Sequence, residues 1–249
     1  MPIPTTLTEA TEQAKAATQA ALKAGYNRLQ VEMAIPEIKH QPIAQQFLDI
    51  FEGQQFKVFF PDAGAAALAR RDWNNPNFVI RGLGELTNPV DADDDSYLVV
   101  NPSSIEVETV EALCNAAIDQ PVILLNPKLE DVAIVGIGYA ARQIRERFLS
   151  QIESCYYLHP MESAAIYRCF PGPWQLWKET APNEYEHFQD FDHRPSGEEI
   201  DRLLYSDPKA ENPSTADAAS DVATRQPKEG GRKKGLLAEL QQFLRALSQ

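Results

Sequence analysis

Pro121-Val-Ile-Leu-Leu-Asn-Pro127 is an apolar run that ends in Asn-Pro, and Tyr97-Leu-Val-Val-Asn-Pro102 has the same pattern upstream. Strands that are apolar without alternation are typical of a parallel sheet with both faces covered by helices. We expect the turns at Asn101 and Asn126 to lie at one edge of such a sheet, where open α/β folds usually bind ligands. The two turns predict either a regulatory ligand site or simple chain reversals, because Asn-Pro commonly starts turns.

Strand-like and helix-like runs alternate on both sides of these two stretches. Further strands are predicted at 28–34, 56–60, 78–82 and 155–158, with a last pair at 164–170 and 174–178. Helices are predicted at 43–51, 63–73, 105–117 and 141–152. This alternation favours a layered α/β domain over residues 1–206, with a mainly parallel, Rossmann-like sheet flanked by helices.

The first helix has recognisable ends. Thr6 and Glu9 have the spacing of a capping box, and Gly25 provides a stop. Alanines recur between these ends at helical spacing, which indicates a helix that packs closely against its neighbour; they are Ala10, Ala14, Ala17 and Ala21.

Composition excludes several classes of protein. Of the 249 residues 43% are hydrophobic and 24% charged, as in globular proteins. The net charge of −13 argues against nucleic-acid binding, which requires clustered Lys and Arg. No apolar run approaches the roughly 20 residues of a membrane-spanning helix, and the first residues do not resemble a signal peptide. The three cysteines, Cys114, Cys155 and Cys169, lack paired spacing and are predicted to be reduced core thiols.

The C-terminal part of the chain differs from the rest. Residues 207–231 contain almost no large apolar side chains and are predicted to be a disordered linker. Residues 232–249 are predicted to form a basic amphipathic helix. Four basic residues against one acidic residue give this tail a net charge of +3, so the preceding residues carry −16.

The tail is predicted to be a docking element. At helical periodicity its apolar residues fall within an arc of about 120°; they are Leu236, Leu237, Leu240, Phe243, Leu244 and Leu247. Lys233, Lys234 and Arg245 would contact anionic headgroups or an acidic partner. The apolar face would lie in a membrane interface or insert into a partner groove. Folding back onto the domain and forming a coiled coil are the remaining alternatives.

A glycine-rich turn suggests a second function. Residues 132–135 are apolar, and Gly136-x-Gly138-x-x-Ala141 follows in the form of a dinucleotide-binding fingerprint. However, the next predicted strand ends in His159-Pro160, where an acidic residue would normally meet the ribose. A turn that leads into a packed helix is the alternative.

Other patterns indicate no catalytic or metal site. The acidic run from Asp91 to Asp95 lacks the glycine and glutamate of a calcium loop and is predicted to be solvated. The histidines lack metal-ligand spacing, and the evidence for an acid–base pair of His159 with Glu162 in a loop is weak. Cys155 lies in an apolar strand and is predicted to be inert. No nucleophile elbow or phosphate-binding loop is present in the sequence, so no catalytic residue, metal or cofactor is assigned.

Several segments together resemble a known family. They are the alanine-rich first helix with Gly25, residues 28–36, 58–62 and 121–127, and Phe170-Pro-Gly-Pro-Trp-Gln-Leu-Trp177. They are similar to an uncharacterised α/β domain family of cyanobacteria and chloroplasts that includes the plastid low photosystem II accumulation assembly factor. The resemblance covers roughly residues 5–180 and provides no catalytic residues.

The resemblance implies a non-catalytic auxiliary factor for the assembly or maintenance of photosynthetic membrane complexes. Its partners would be such a complex or the assembly factors of that complex, with an anionic membrane surface as a further option. The implied location is the cytoplasm, at the periphery of the thylakoid membrane. The tail lies outside the matched segments, so its docking role depends on its amphipathic pattern alone.

Overall fold

The computed structural model describes residues 1–85, 89–130, 139–182 and 184–205. Its strands are β1 (Arg28–Met33), β2 (Phe56–Phe60), β3 (Val79–Gly82), β4 (Ser96–Val100), β5 (Val122–Leu125), β6 (Glu153–Met161), β7 (Ala164–Cys169), β8 (Trp174–Ala181) and β9 (Glu184–Phe191). Six helices accompany them in the described residues: α1 (Leu7–Lys23), α2 (His40–Phe47), α3 (Ala63–Asp72), α4 (Val107–Ala116), α5 (Tyr139–Arg147) and α6 (Gly197–Tyr205).

The nine strands form one sheet in the order β3-β2-β4-β5-β1-β6-β7-β8-β9. All pairings from β3 to β6 are parallel, and those from β6 to β9 are antiparallel. The mixed α/β class is therefore confirmed, as is the parallel arrangement of most strands. The parallel part does not follow the order 3-2-1-4-5-6 of the dinucleotide-binding doubly wound fold.

Helices cover one face of the sheet through α1, α2 and α3. The alanines of α1 are almost completely buried against β1 and β6, so this helix packs closely, as predicted. Thr6 caps it by accepting the Glu9 N–H at 3.1 Å. The Glu9 carboxylate accepts from both the N–H and the hydroxyl of Thr5, at 2.8 and 2.9 Å. Gly25, with φ of +92°, follows the end of the helix.

The opposite face is covered by helices that pack in two separate hydrophobic clusters. Val110 and Leu113 of α4 pack with Tyr97 of β4 and Leu124 of β5. Over the antiparallel part, Ile200 of α6 packs with strand residues that include Tyr157, Trp174 and Leu176. The sheet is thus the middle layer of three.

Two elements at the end of the domain were not predicted. β9 is an edge strand whose side chains are largely exposed, so the apolar alternation that identifies a half-buried strand is weak. α6 has one fully buried residue, Ile200. Its start did have a signal, because Ser196 and Glu199 form a capping box, with the Ser196 N–H donating to the Glu199 carboxylate at 2.8 Å.

The strand predicted at 155–158 is longer in the structure. β6 runs from Glu153 to Met161, so His159 lies inside the strand and does not follow it. The helix predicted at 141–152 is described over Tyr139–Arg147, and a 3₁₀ turn at Leu149–Gln151 follows it. These shifts leave the order of elements unchanged.

The cysteines and the C-terminal segments complete the comparison. Cys114 and Cys155 are buried, Cys169 is half-buried, and all three are free thiols. The predicted linker at 207–231 and the predicted helix at 232–249 lie outside the described residues. Within the described part of the chain, no helix is both long enough and apolar enough to cross a bilayer.

Candidate binding cleft at the carboxyl edge

The two Asn-Pro turns lie next to each other. β4 and β5 pair in parallel with Val100 opposite Leu125, so Asn101 and Asn126 leave the sheet side by side. Both residues have φ of +50°, in the left-handed region that asparagine tolerates better than most residues. The Asn126 N–H donates to the carbonyl of Val31 at 2.7 Å, which ties its turn to β1.

The chain leaves the neighbouring strands β1 and β5 toward opposite faces. β1 leads to α2, which packs on one face through Ile43 and Phe47. The next described helix after β5 is α5, whose Ile144 packs with α4 on the other face. In open α/β sheets a ligand crevice forms where neighbouring connections diverge in this way.

A cleft of about 450 Å³ lies at this point. Its lining comes from the end of β1 and the following loop, from the start of α2, and from the turn after β5; the residues are Glu32, Met33, Ala34, Ile35, Pro36, Glu37, Ile38, His40, Asn126, Pro127 and Lys128. This volume is within the usual range for small-molecule sites, and the lining is mainly apolar with a few polar groups.

Asn126 connects the two walls of the cleft. Its side chain is buried, and its Oδ1 accepts the backbone N–H of Met33 at 2.7 Å. The Nδ2 group lies 3.0 Å from Nδ1 of His40. Because a backbone N–H can only donate, it fixes the orientation of the amide and places the NH₂ group toward His40. His40 therefore accepts at Nδ1 and carries its proton on Nε2.

His40 is held in its neutral form. Burial lowers the pKa of the imidazole, and the positive charge of Lys128 lowers it further. A protonated ring would carry a hydrogen on Nδ1, directly opposite the NH₂ group of Asn126. The hydrogen-bonding geometry and the electrostatics thus favour the same tautomer.

Glu32 is a half-buried carboxylate on the same cleft. Burial raises its pKa, Arg194 lowers it, and the charge of Glu130 raises it. The contact between its carboxylate and Nη1 of Arg194 is long, at 3.5 Å. Glu32 therefore has only a weak counter-charge for a carboxylate at this depth.

Arg194 is itself held by aromatic side chains. Its guanidinium lies 4.3 Å from the centre of the Tyr157 ring and 5.9 Å from that of Trp174. Its Nη2 donates to the Tyr157 hydroxyl at 2.5 Å. These contacts fix the arginine next to Glu32.

The suggested pair of His159 and Glu162 is not supported as an acid–base site. His159 contacts the Tyr157 hydroxyl at 3.3 Å, whereas Glu162 is exposed in the turn after β6. Burial and Arg194 lower the pKa of His159. The histidine is thus part of the aromatic cluster around Arg194.

Cys155 is a structural residue. Its thiol is buried between α1 and β1, 3.7 Å from Thr18 Oγ1 and 3.3 Å from the Gln30 carbonyl. Burial raises the pKa of this thiol to about 12, so the nucleophilic thiolate is strongly disfavoured. Its burial in β6 agrees with the prediction of a core thiol.

The acidic run is more ordered than predicted. The ammonium of Lys57 lies 2.6 Å from carboxylate oxygens of both Asp91 and Asp94. Asp94 also accepts from the Tyr97 hydroxyl at 2.7 Å, and its side chain is only 9% exposed. The expectation of a solvated loop was therefore wrong for Asp94. Among the described residues, no group of His, Cys, Asp and Glu is arranged to hold a metal ion.

The remaining predicted site residues lie outside the part of the chain that can be compared. Gly136 and Gly138 are not among the described residues, and Ala141 lies in α5 without a described side chain. All docking residues of the tail are also outside the described ranges; they are Lys233, Lys234, Leu236, Leu237, Leu240, Phe243, Leu244, Arg245 and Leu247.

A family model described as "Domain of unknown function (DUF1995)" matches residues 4–202. The chain belongs to this family. The DUF1995 match contains every strand of the sheet and every residue of the cleft, and it ends before the predicted linker and tail. No solved structure matches the chain.

Sequence patterns identified the edge of the sheet but not most of the cleft. Asn126 had a signal, because an apolar strand ends there. His40, Glu32 and Lys128 had none, since a single histidine and isolated charges are usual on any surface. Only the topology, which places β1 beside β5, brings these residues together.

Proposed function

We propose that this DUF1995 protein is a non-catalytic auxiliary factor in the assembly or maintenance of photosynthetic membrane complexes. It docks through residues 232–249, and its α/β domain is a binding module. The amphipathic pattern of the tail carries this proposal: six apolar residues share one face, with basic residues beside them. The family match supports it, because it ends at residue 202 and leaves the tail as an appendage to the domain.

The docking target is a photosynthetic membrane protein complex or one of its assembly factors, at the surface of the thylakoid membrane. The charge distribution favours a reversible, oriented contact. A tail of charge +3 is attracted to an anionic surface, whereas the preceding residues, at −16, are repelled by it.

Co-sedimentation with vesicles tests the docking role. The full chain is expected to bind anionic vesicles, with binding that weakens as salt is raised, and not neutral ones. The double variant Leu240→Asp/Phe243→Asp is expected to lose binding, because it places two charges on the apolar face. Gln241→Asp/Gln242→Asp adds the same charge to the polar face and is the matched control.

The results separate the possible docking modes. Equal binding by both double variants would show that the apolar face is not used, which contradicts the proposal. If the unchanged protein binds no vesicles, a pull-down from thylakoid proteins with the tail as bait is the next experiment. The proposal then requires a captured complex that Leu240→Asp/Phe243→Asp fails to retain.

A nucleotide-binding enzyme with a Rossmann-like site is the second candidate. One observation favours it: Ala141, the last residue of the fingerprint, lies in helix α5. The residues involved would be Gly136, Gly138 and Ala141. Calorimetric titration with NAD⁺, NADP⁺ and ATP tests this function. Saturable binding that is lost in Gly138→Val would support it, and flat titrations would exclude it for these nucleotides.

A further inference from the structure

The carboxyl-edge cleft is lined by side chains of opposite charge. Glu32 is affected by the charges of Arg194 and Glu130, whereas Lys128 acts on His40 and is not among the charges that shift the pKa of Glu32. Lys128 makes no ion pair within the described residues. The cleft thus presents both a weakly paired carboxylate and an ammonium group.

The rest of the lining of the cleft is mainly apolar. Met33, Ile35 and Ile38 line the cleft, together with Pro36 and Pro127. Met33 and Ile35 are buried in the domain core, so this wall is rigid. A ligand that spans the two charges would place an uncharged, apolar segment on this surface.

The hydrogen-bond donor at the basic end is already oriented. Because Asn126 occupies Nδ1 of His40, the Nε2–H is the ring's remaining donor, and Nε2 has no hydrogen-bond partner in the described chain. Asn126 is held in turn by the Met33 N–H. A donor fixed in this way loses little conformational freedom when a ligand binds.

We propose that this cleft binds a small zwitterion whose ammonium and carboxylate groups are separated by an apolar spacer. The ligand carboxylate pairs with Lys128 and accepts from the Nε2–H of His40. The ligand ammonium pairs with Glu32, and the spacer lies on the apolar lining of the cleft. This site is independent of the tail and goes beyond the docking function.

The charges of the lining disfavour other small ions. Glu32, Glu37 and Lys128 give the lining more negative than positive charge, so a dianion such as phosphate is repelled. A simple amine leaves Lys128 without a partner, and a simple carboxylate leaves Glu32 without one. Only a molecule with both charges satisfies both groups.

Three probes of equal chain length test the proposal on the full protein. They are 6-aminohexanoate, hexanoate and hexylamine, each titrated while backbone amide shifts are followed by NMR. We expect 6-aminohexanoate to shift the amides of residues 32–40 and 126–128 and to bind about tenfold more tightly than either analogue.

Single-residue variants test which side chain binds each charged end of the ligand. Lys128→Met is expected to reduce the affinity for 6-aminohexanoate to that for hexylamine, and Glu32→Gln to reduce it to that for hexanoate. Lys39→Met is the matched control, because Lys39 is an exposed lysine near the cleft that does not line it. Unchanged amide shifts away from the cleft show that each variant is folded.

Two results would overturn the proposal. One is that none of the three probes shifts the cleft amides at millimolar concentration. The other is that hexanoate or hexylamine binds as tightly as 6-aminohexanoate, which would mean that the second charge contributes nothing. Neither result depends on the tail, so failure of this proposal and failure of the docking proposal are distinguishable.

Discussion

Asn126 and His40 are joined by a hydrogen bond of 3.0 Å whose direction is set by a third group, the backbone N–H of Met33. A single buried side chain thereby links strand β1, the turn after β5 and the first residue of α2. These are the three segments that line the cleft. The geometry of the cleft depends on this amide more than on any residue that faces solvent.

Replacing the asparagine tests that dependence. Asn126→Ala should lower the free energy of unfolding by about 2–4 kcal/mol, because it leaves the buried Met33 N–H unpaired and strains a residue at positive φ. Asn101→Ala is the matched control, since Asn101 has the same φ and its side chain makes no hydrogen bond in the described chain. It should cost only about 1 kcal/mol. Urea unfolding measures both, and equal losses would contradict the role assigned to the amide.

Acidification should weaken the domain through His40. Its pKa in the folded protein is below the ordinary value of 6.5, so the unfolded chain takes up the proton first. This contribution to stability is complete above about pH 6.5 and is lost as the pH falls below that value toward the folded pKa. Urea unfolding between about pH 7.5 and 5.5 measures the loss. In His40→Gln the loss of unfolding free energy on acidification should be smaller. An identical loss in that variant would show that His40 is not responsible.

Arg194 should control the ionisation of Glu32. Its positive charge lowers the pKa of this carboxyl against the effects of burial and of Glu130, so Arg194→Ala should raise that pKa. Carbon-detected NMR titration of the Glu32 carboxyl measures the change. Arg194→Lys is the comparison: it keeps the charge but loses the stacking on Tyr157, and should give a smaller rise. A fall in the pKa in Arg194→Ala would contradict this account.

Gly82 marks a close approach of two backbone segments. A Cβ atom at this position would lie 2.6 Å from the backbone of Asp62 and Ala63, where α3 begins. Gly82→Ala should therefore cost about 2–3 kcal/mol of stability, since the backbone has to shift. Gly84→Ala is the nearby control, because a Cβ there meets nothing within 4 Å, and it should be nearly neutral. Equal thermal unfolding temperatures for both variants would contradict the predicted contact.

The sequence predicts the buried part of this fold well. Strands such as Val122–Leu125 are continuous apolar runs with both faces covered, and that pattern is local. The strand order is not local, because the placement of β1 between β5 and β6 depends on packing across the whole domain. For the same reason the sequence indicates the turn at Asn126 but not its partner His40, which is brought to it by the topology.

The position of β1 has a consequence for how the protein is made. β1 is the first strand to leave the ribosome, yet its two neighbours, β5 and β6, are encoded in the middle and later parts of the domain. The β6–β9 meander joins strands that are adjacent along the chain, so it can form soon after synthesis. The sheet is completed only when β1 has paired with β5 and β6 at its centre. During translation β1 is present before the two strands that pair with it, although α1, which packs on the apolar side of Leu29, Val31 and Met33, precedes it in the chain. The backbone edges of β1 therefore remain unpaired until residues near 160 have emerged.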